Sequence, residues 1–186
     1  MSFPVARPDV IRAINQRWLL KFWKRHLREQ RVPQWQAIEP QRLNAMSANM
    51  SFLDVIGSGD GVRFQARFHG AAIAKIWGLD DYRGRYLDEI MPPERHIENL
   101  PPYRYVVDSG RPVYTIHDVN DRNGRLVHYE RLLLPFAADG NTVDRILASF
   151  ELISEDGAFD IQDLMKSQST PPKLRLAAAI EPLAVS

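Results

Sequence analysis

Three runs decide the fold class: Gly110-Arg-Pro-Val-Tyr-Thr-Ile116, Arg125-Leu-Val-His-Tyr-Glu-Arg-Leu-Leu-Leu-Pro135 and Val143-Asp-Arg-Ile-Leu-Ala-Ser-Phe-Glu-Leu-Ile153. Asp121-Arg-Asn-Gly124 and Ala138-Asp-Gly-Asn141 separate them. Asn-Gly and Asp-Gly are strong hairpin signals, because glycine readily supplies the positive φ that tight turns require. Three successive antiparallel strands are therefore expected. Leu132-Leu-Leu134 loses the apolar and polar alternation, which predicts a strand covered on both faces.

Upstream, Phe52-Leu-Asp-Val-Ile56 reads as a strand turned by Gly57-Ser-Gly-Asp-Gly61. In the next run Val62, Phe64, Ala66 and Phe68 alternate with Arg63, Gln65 and Arg67, the period of a half-buried strand. Ala71–Trp77 reads as a short helix stopped by Gly78, and Tyr86–Met91 as a short helical turn. A longer helix is expected from Glu94 to about Ser109, kinked or divided by Pro101-Pro102. Two strands, short helices and three strands predict an α+β fold, a five-stranded antiparallel sheet with the helices on one face. The expected organisation is an N-terminal helical extension and linker over 1–47, a core over 48–153 and a weakly ordered tail over 154–186. A helix near Ile161–Lys166 is the one element expected in that tail.

The N-terminal segment predicts an amphipathic helix from Asp9 to about Gln30, preceding a proline-containing linker over 31–40. Ile11, Ile14, Trp18 and Phe22 fall in one narrow sector that Leu19, Trp23 and Leu27 extend sideways, and Arg17, Lys21, Lys24, Arg25 and Arg28 make the same helix basic. The aromatic side needs a partner surface, either the far face of the sheet or a second chain. Pairing in a homodimer or covering the core ranks first, contact with a membrane surface second and nucleic acid third.

The 186 residues suffice for one good core, and the formal net charge of +1 gives no strong overall field for nucleic acid. Cysteine is absent, which removes disulfides, thiolate-ligated metals and thiol nucleophiles. No run has the apolar character of a signal peptide or a bilayer span, so a cytoplasmic protein is expected.

No catalytic set is legible, and no enzyme is expected. Asp54, Ser58 and His69 lack a nucleophile elbow, and the glycine-rich Gly57–Gly61 joins two strands instead of opening a helix. Asp80-Asp81 and Asp88-Glu89 are adjacent carboxylates that point different ways on a helix. His26, His69, His96, His117 and His128 offer no pair at helical metal spacing. His96 is the nearest fit to a haem ligand, but its charged neighbours read as surface; the sequence supports neither haem nor flavin, and the cofactor is unknown.

Several segments together resemble the PAS domain, in particular the single-domain PAS-like family common in alphaproteobacteria. They are Arg67-Phe-His-Gly70, Arg83-Gly-Arg-Tyr-Leu-Asp-Glu-Ile90, Gly110-Arg-Pro112, Tyr129-Glu-Arg-Leu-Leu-Leu-Pro-Phe136 and Asp139-Gly140 with Val143-Asp-Arg-Ile-Leu147. Trp23 and Ile38-Glu-Pro40 resemble the family's lead-in, and the likeness spans roughly residues 10–153. It implies a sensory, regulatory or protein-interaction module with ligands held between the inner sheet face and the short helices. No kinase, cyclase or DNA-binding segment is recognised, so the resemblance implies output through a signalling partner protein.

Placing Pro135 on the proline that often ends the corresponding PAS strand turns Tyr129, Arg131 and Leu133 inward, with Ile146, Ala148 and Phe150 beside them. Ile73, Trp77, Tyr86 and Ile90 are the helical candidates facing them. A slip of one residue would reverse the strand sets. Arg131 is the sharpest candidate, because a buried guanidinium needs an anionic partner. That partner is either a small anionic ligand held bidentately or an internal carboxylate such as Asp88 or Glu89, unless the register leaves Arg131 solvated.

Overall fold

The strand β5, Leu126–Phe136, is the centre of the molecule: β4 (Val113–Asn120) and β6 (Arg145–Ile153) flank it, both antiparallel. The computed structural model describes residues 3–27, 29–37, 40–165 and 172–181. Leu132, Leu133 and Leu134 are all buried, so the unbroken apolar run does mark a strand covered on both faces. Beyond β6 lie β2 (Met50–Ile56) and β3 (Arg63–His69), again antiparallel.

The turn chemistry is local. Asp121 Oδ1 accepts the backbone N–H groups of Asn123 and Arg125, each at 2.8 Å, closing the β4–β5 connection. Asp139 Oδ1 accepts those of Asn141 and Thr142 in the β5–β6 connection. Between β3 and β4 the chain forms α2 (Ala71–Trp77), α3 (Leu87–Ile90) and α4 (His96–Ser109). Helix α2 ends at Gly78 in the left-handed region, φ 61°, which glycine adopts at no steric cost. Contrary to expectation, Pro101 and Pro102 do not divide α4. Tyr103 and Val106 beyond them are buried, and that packing offsets the lost helical hydrogen bonds.

Among the described residues the sheet has seven strands, in the order Val5–Ala6, Lys173–Ile180, β4, β5, β6, β2, β3, which corrects the expected five. The extra strands are β7 (Lys173–Ile180), antiparallel to β4, and β1 (Val5–Ala6), parallel to β7. Lys173–Ile180 therefore departs from the weakly ordered tail expected there. Its Ala177-Ala178-Ala179 has little intrinsic strand preference, but the open edge of β4 supplies the missing hydrogen-bond partners. Residues 161–165 form turns instead of the expected helix; Lys166 lies outside the described residues, as do Arg28 and Ile38-Glu39. Phe159–Met165 runs from the β4–β5 turn to α2. Asp160 N donates to Asp121 Oδ2, while Asp163 N and Met165 N donate to the carbonyls of Lys75 and Ile76, each at 2.9 Å.

The N-terminal helix α1 is Ile14–Arg25, shorter than expected because Pro8–Val10 forms a separate 3-10 turn. Gln16 Nε2 donates to the carbonyls of Ser149 and Glu130, at 3.1 and 3.4 Å, and Trp23 Nε1 donates to Pro135 O at 2.7 Å. These bonds select the buried stripe Gln16, Leu19, Leu20 and Trp23, joined by Phe22. Ile14 and Trp18, expected on that side, are 78% and 40% exposed, while Ile11 precedes the helix and is fully buried. Hydrophobic pattern alone placed the stripe about one residue's rotation away, because it gave Gln16 no weight.

Candidate functional site

The register of the central strands defines one face of the sheet. Arg131 pairs with Thr115 on β4 and Phe150 on β6, and Tyr129 pairs with His117. Directly opposed residues share a face, so Thr115, His117, Tyr129, Arg131 and Phe150 stand together. On β2, Ser51 opposes Ala148 and Leu53 opposes Ile146, extending the same face.

Between this face and α2–α4 lies a cavity of about 20 Å³, room for about one water molecule. Of the residues expected to surround it, Ile73, Trp77, Ile90, Tyr129, Arg131 and Phe150 do so. Leu133, Ile146 and Ala148 are buried but are not among its lining residues. Tyr86 stands elsewhere, with the Arg63 guanidinium 3.7 Å over its ring. Sequence reasoning missed Ser51, Leu53, Tyr82, Leu87, Met91 and Tyr103. Strand alternation contains the signal for Ser51 and Leu53, provided that β2 is known to pair with β6.

Arg131 is 2% exposed. Its Nε donates to Thr115 Oγ1 at 3.3 Å, one Nη to Asn99 Oδ1 at 3.5 Å, and the guanidinium sits 4.9 Å from the centre of the Tyr103 ring. Its other Nη has no hydrogen-bond partner among the described residues. The internal salt bridge considered for it does not form with Asp88 or Glu89. Both of those carboxylates pair with Arg63, at 2.9 and 2.8 Å, on the outer side of β3.

A second guanidinium and an imidazole share this part of the interior. Arg95, immediately before α4, is 8% exposed, and one of its Nη atoms points to Met165 Sδ at 4.0 Å. Burial pushes its pKa down, against the pull of Glu94 and Glu98, which are exposed. His117 is 1% exposed, with neither ring nitrogen partnered among the described residues. Nothing in a lone histidine within a strand pattern announces such a position.

Burial, reinforced by Arg131 and Arg95, pushes the His117 pKa down to about 3. An unfolded histidine takes up its proton near 6.5, so the neutral buried ring costs nothing above that pH. Between 6.5 and about 3 the unfolded chain binds the extra proton, and stability falls as pH falls, by at most about 1.4 kcal/mol per unit. Urea midpoints of wild type and His117→Phe at pH 7 and pH 5 should show the steeper acid loss in the wild type. Parallel losses would mean that His117 is readily protonated in the folded protein.

The other histidines are engaged: His26 with Phe22 O, His69 with Asp81, His96 with Met91 O and His128 with Asp118. Asp54 pairs with Arg67 and Arg145 and takes no part in a triad. Among the described residues no group of three or more histidine or acidic side chains is placed to hold a metal. No described helix is long and apolar enough to cross a membrane. A larger cleft of about 250 Å³ lies outside, beside Asp60, Arg63, Asp88 and Arg104, but Arg63 and Asp88 there already neutralise each other.

An antiparallel sheet with a small interior between one face and short helices defines an α+β module of PAS type. The chain belongs to the PAS domain family, whose model matches residues 12–151. That family is generally sensory or regulatory, ligand-binding and non-enzymatic. No curated protein matches the sequence. Among solved structures it is similar to a light-oxygen-voltage domain studied with a flavin analogue, at 17% identity and a TM-score of 0.44 over 62% of this chain and 84% of that one. It is also similar to VqmA of Vibrio cholerae, a dimer described among LuxR-type receptors, at 13% identity and a TM-score of 0.45 over 74% of this chain and 60% of that one. The cavity of about 20 Å³ is far smaller than the tricyclic ring of a flavin.

Proposed function

We propose that this chain is a non-enzymatic, cytoplasmic sensory module that binds a small ligand between its sheet and α2–α4 and acts on a signalling partner protein. Arg131 is the observation that carries this reading: it is a buried guanidinium whose hydrogen-bonding partners among the described residues are all neutral. A fold that retains such a group for stability alone gains little, because burying an uncompensated charge costs several kcal/mol. The mechanism is a population shift. A ligand that changes the packing against β5 acts on the strand whose far side receives α1 through Glu130 O and Pro135 O.

Native mass spectrometry of the purified protein, with a visible absorption spectrum, tests this reading. A bound mass supports the sensor. An empty protein that binds no small molecule added to it would instead support a ligand-free adaptor that localises or modulates a signalling protein, a reading the small cavity favours.

The partner surface in this reading is the outer side of α1, and the first partner is a second copy. Ile14 and Trp18 are exposed there, and Trp18 stacks on Phe22 with ring centres 5.3 Å apart. Ile14→Glu with Trp18→Glu should leave the urea midpoint nearly unchanged, since neither side chain is in the core, and should convert a dimer to a monomer by light scattering. A monomeric wild type, or a dimer indifferent to the substitutions, would remove this interface. Exposed Arg17, Lys21 and Arg25 make a membrane surface the second choice.

A further inference from the structure

We propose that the ligand is a short-chain monocarboxylate, its head on Arg131 in a positive field to which Arg95 adds, and its tail in the adjoining apolar cavity. This rests on the ligand-binding reading above and names its chemistry. The three groups come from separate elements: the Arg131 guanidinium from β5, the Arg95 guanidinium from the turn that opens α4, and the neutral imidazole of His117 from β4. Each is more than nine-tenths buried, at 2%, 1% and 8% exposure.

None of the three has a carboxylate partner among the described residues. The Arg131 bonds to Thr115 and Asn99 are long, at 3.3 and 3.5 Å, and one Nη is left over. Among the described residues the Arg95 guanidinium meets a thioether sulfur, and both nitrogens of His117 are idle. Elsewhere the same chain satisfies its arginines: Arg63, Arg67 and Arg83 all bond carboxylates at 3.0 Å or less. Among the described residues the interior is thus the one place where guanidinium groups sit in low dielectric with no anion beside them. A bound anion removes that penalty, and charge-assisted bonds are the strong ones in such surroundings.

The rest of the lining selects the class of anion. Leu53, Ile73, Trp77, Leu87 and Phe150 surround the cavity that Arg131 closes, so a ligand must pair a charged head with an apolar body. A planar carboxylate matches the edge of a guanidinium, whereas a phosphate dianion needs more donors than Arg131 has to spare. The free space of about 20 Å³ takes about one carbon of the tail, so the rest of a short chain enters only by displacing the unbranched Met91. Ser51 and Tyr82, hydroxyls 3.2 Å apart, are the polar spot along the wall.

The probe is sodium propionate, with propionamide as its neutral isostere and sodium chloride at equal ionic strength, followed by thermal unfolding of the full chain. Propionate at a hundredfold excess over its Kd should raise the wild-type Tm by about 5 °C, and the other two should not. Arg131→Met should unfold at or above the wild-type temperature in chloride, because it removes an uncompensated buried charge, and should lose the propionate response. Arg95→Met, a change outside the cavity lining, should weaken propionate binding by less than about tenfold, the loss of a field and not of a charge-assisted contact. A lower Tm for Arg131→Met, with no propionate response in the wild type, would make Arg131 a structural contact and overturn the proposal. Equal stabilisation by chloride would overturn the carboxylate class. A neutral native ligand that survives Arg131→Met would overturn this site while leaving the sensor reading standing; a protein empty in native mass spectra that binds neither propionate nor any other added small molecule would remove both.

Discussion

Gly70→Ala is expected to destabilise the protein by about 3 kcal/mol or more, the upper range for overpacking a site that cannot give. Gly70 has φ −79° and ψ 161°, a conformation open to any residue, so backbone freedom is not what the position requires. Space is. A Cβ there would stand 2.1 Å from Ser47 O and 2.2 Å from Ala48 O, both backbone atoms. Gly70 N also donates to Met50 O at 2.8 Å, which ties the end of β3 to the start of β2. Relief therefore means moving the strand pair away from the Pro40–Asn49 segment, not rotating a side chain. Gly84→Ala is the control: nothing lies within 4 Å of the added carbon, and its φ of 80° alone costs about 1–2 kcal/mol. The urea midpoint of each variant decides the matter. A Gly70→Ala protein as stable as the control would mean that the chains do not approach this closely.

Trp23→Ala should cost about 4 kcal/mol, typical of removing a buried aromatic side chain. The indole is 1% exposed and its Nε1 donates to Pro135 O at 2.7 Å. Alanine removes the largest buried side chain of α1 and leaves that carbonyl without its indole donor. Trp23→Phe keeps most of the apolar area and should lose about half as much, separating the packing contribution from the hydrogen bond. Hydrogen exchange at β5 amides provides the second readout, because α1 meets that strand at Glu130 O as well as Pro135 O. If Trp23→Ala leaves both the midpoint and exchange unchanged, α1 is not docked on the sheet in solution, and the population-shift mechanism loses its lever.

These sites differ in how much of them is visible in the sequence. Gly70 followed by an apolar run reads as a strand end and helix start, but not as a point where Ser47 and Ala48 pass overhead. Trp23 lies on the apolar side of a legible amphipathic helix, yet which neighbours share its buried stripe depends on Gln16 finding two sheet carbonyls. The inner face was legible once Pro135 anchored the register: Tyr129, Arg131 and Phe150 do line the cavity. His117 and Arg95 were not, since each becomes part of the cluster only when β4, β5 and the start of α4 are brought together.

By itself the sequence determined what short-range chemistry controls. Alternation in Val62–Phe68 and the turn residues at Asp121–Gly124 and Asp139–Gly140 specify strands and turns within a few residues of themselves. The same local order carried the PAS resemblance, which the family match over residues 12–151 bears out. Tertiary structure alone decided that Lys173–Ile180 completes the edge of β4, that α1 turns Ile14 and Trp18 outward, and that Arg131 faces Asn99 and Thr115 instead of a carboxylate. Each outcome depends on groups distant in sequence that compete for one edge, one face or one charge. Such competition is settled by hydrogen-bond satisfaction and desolvation in the assembled core, quantities with no period along the chain.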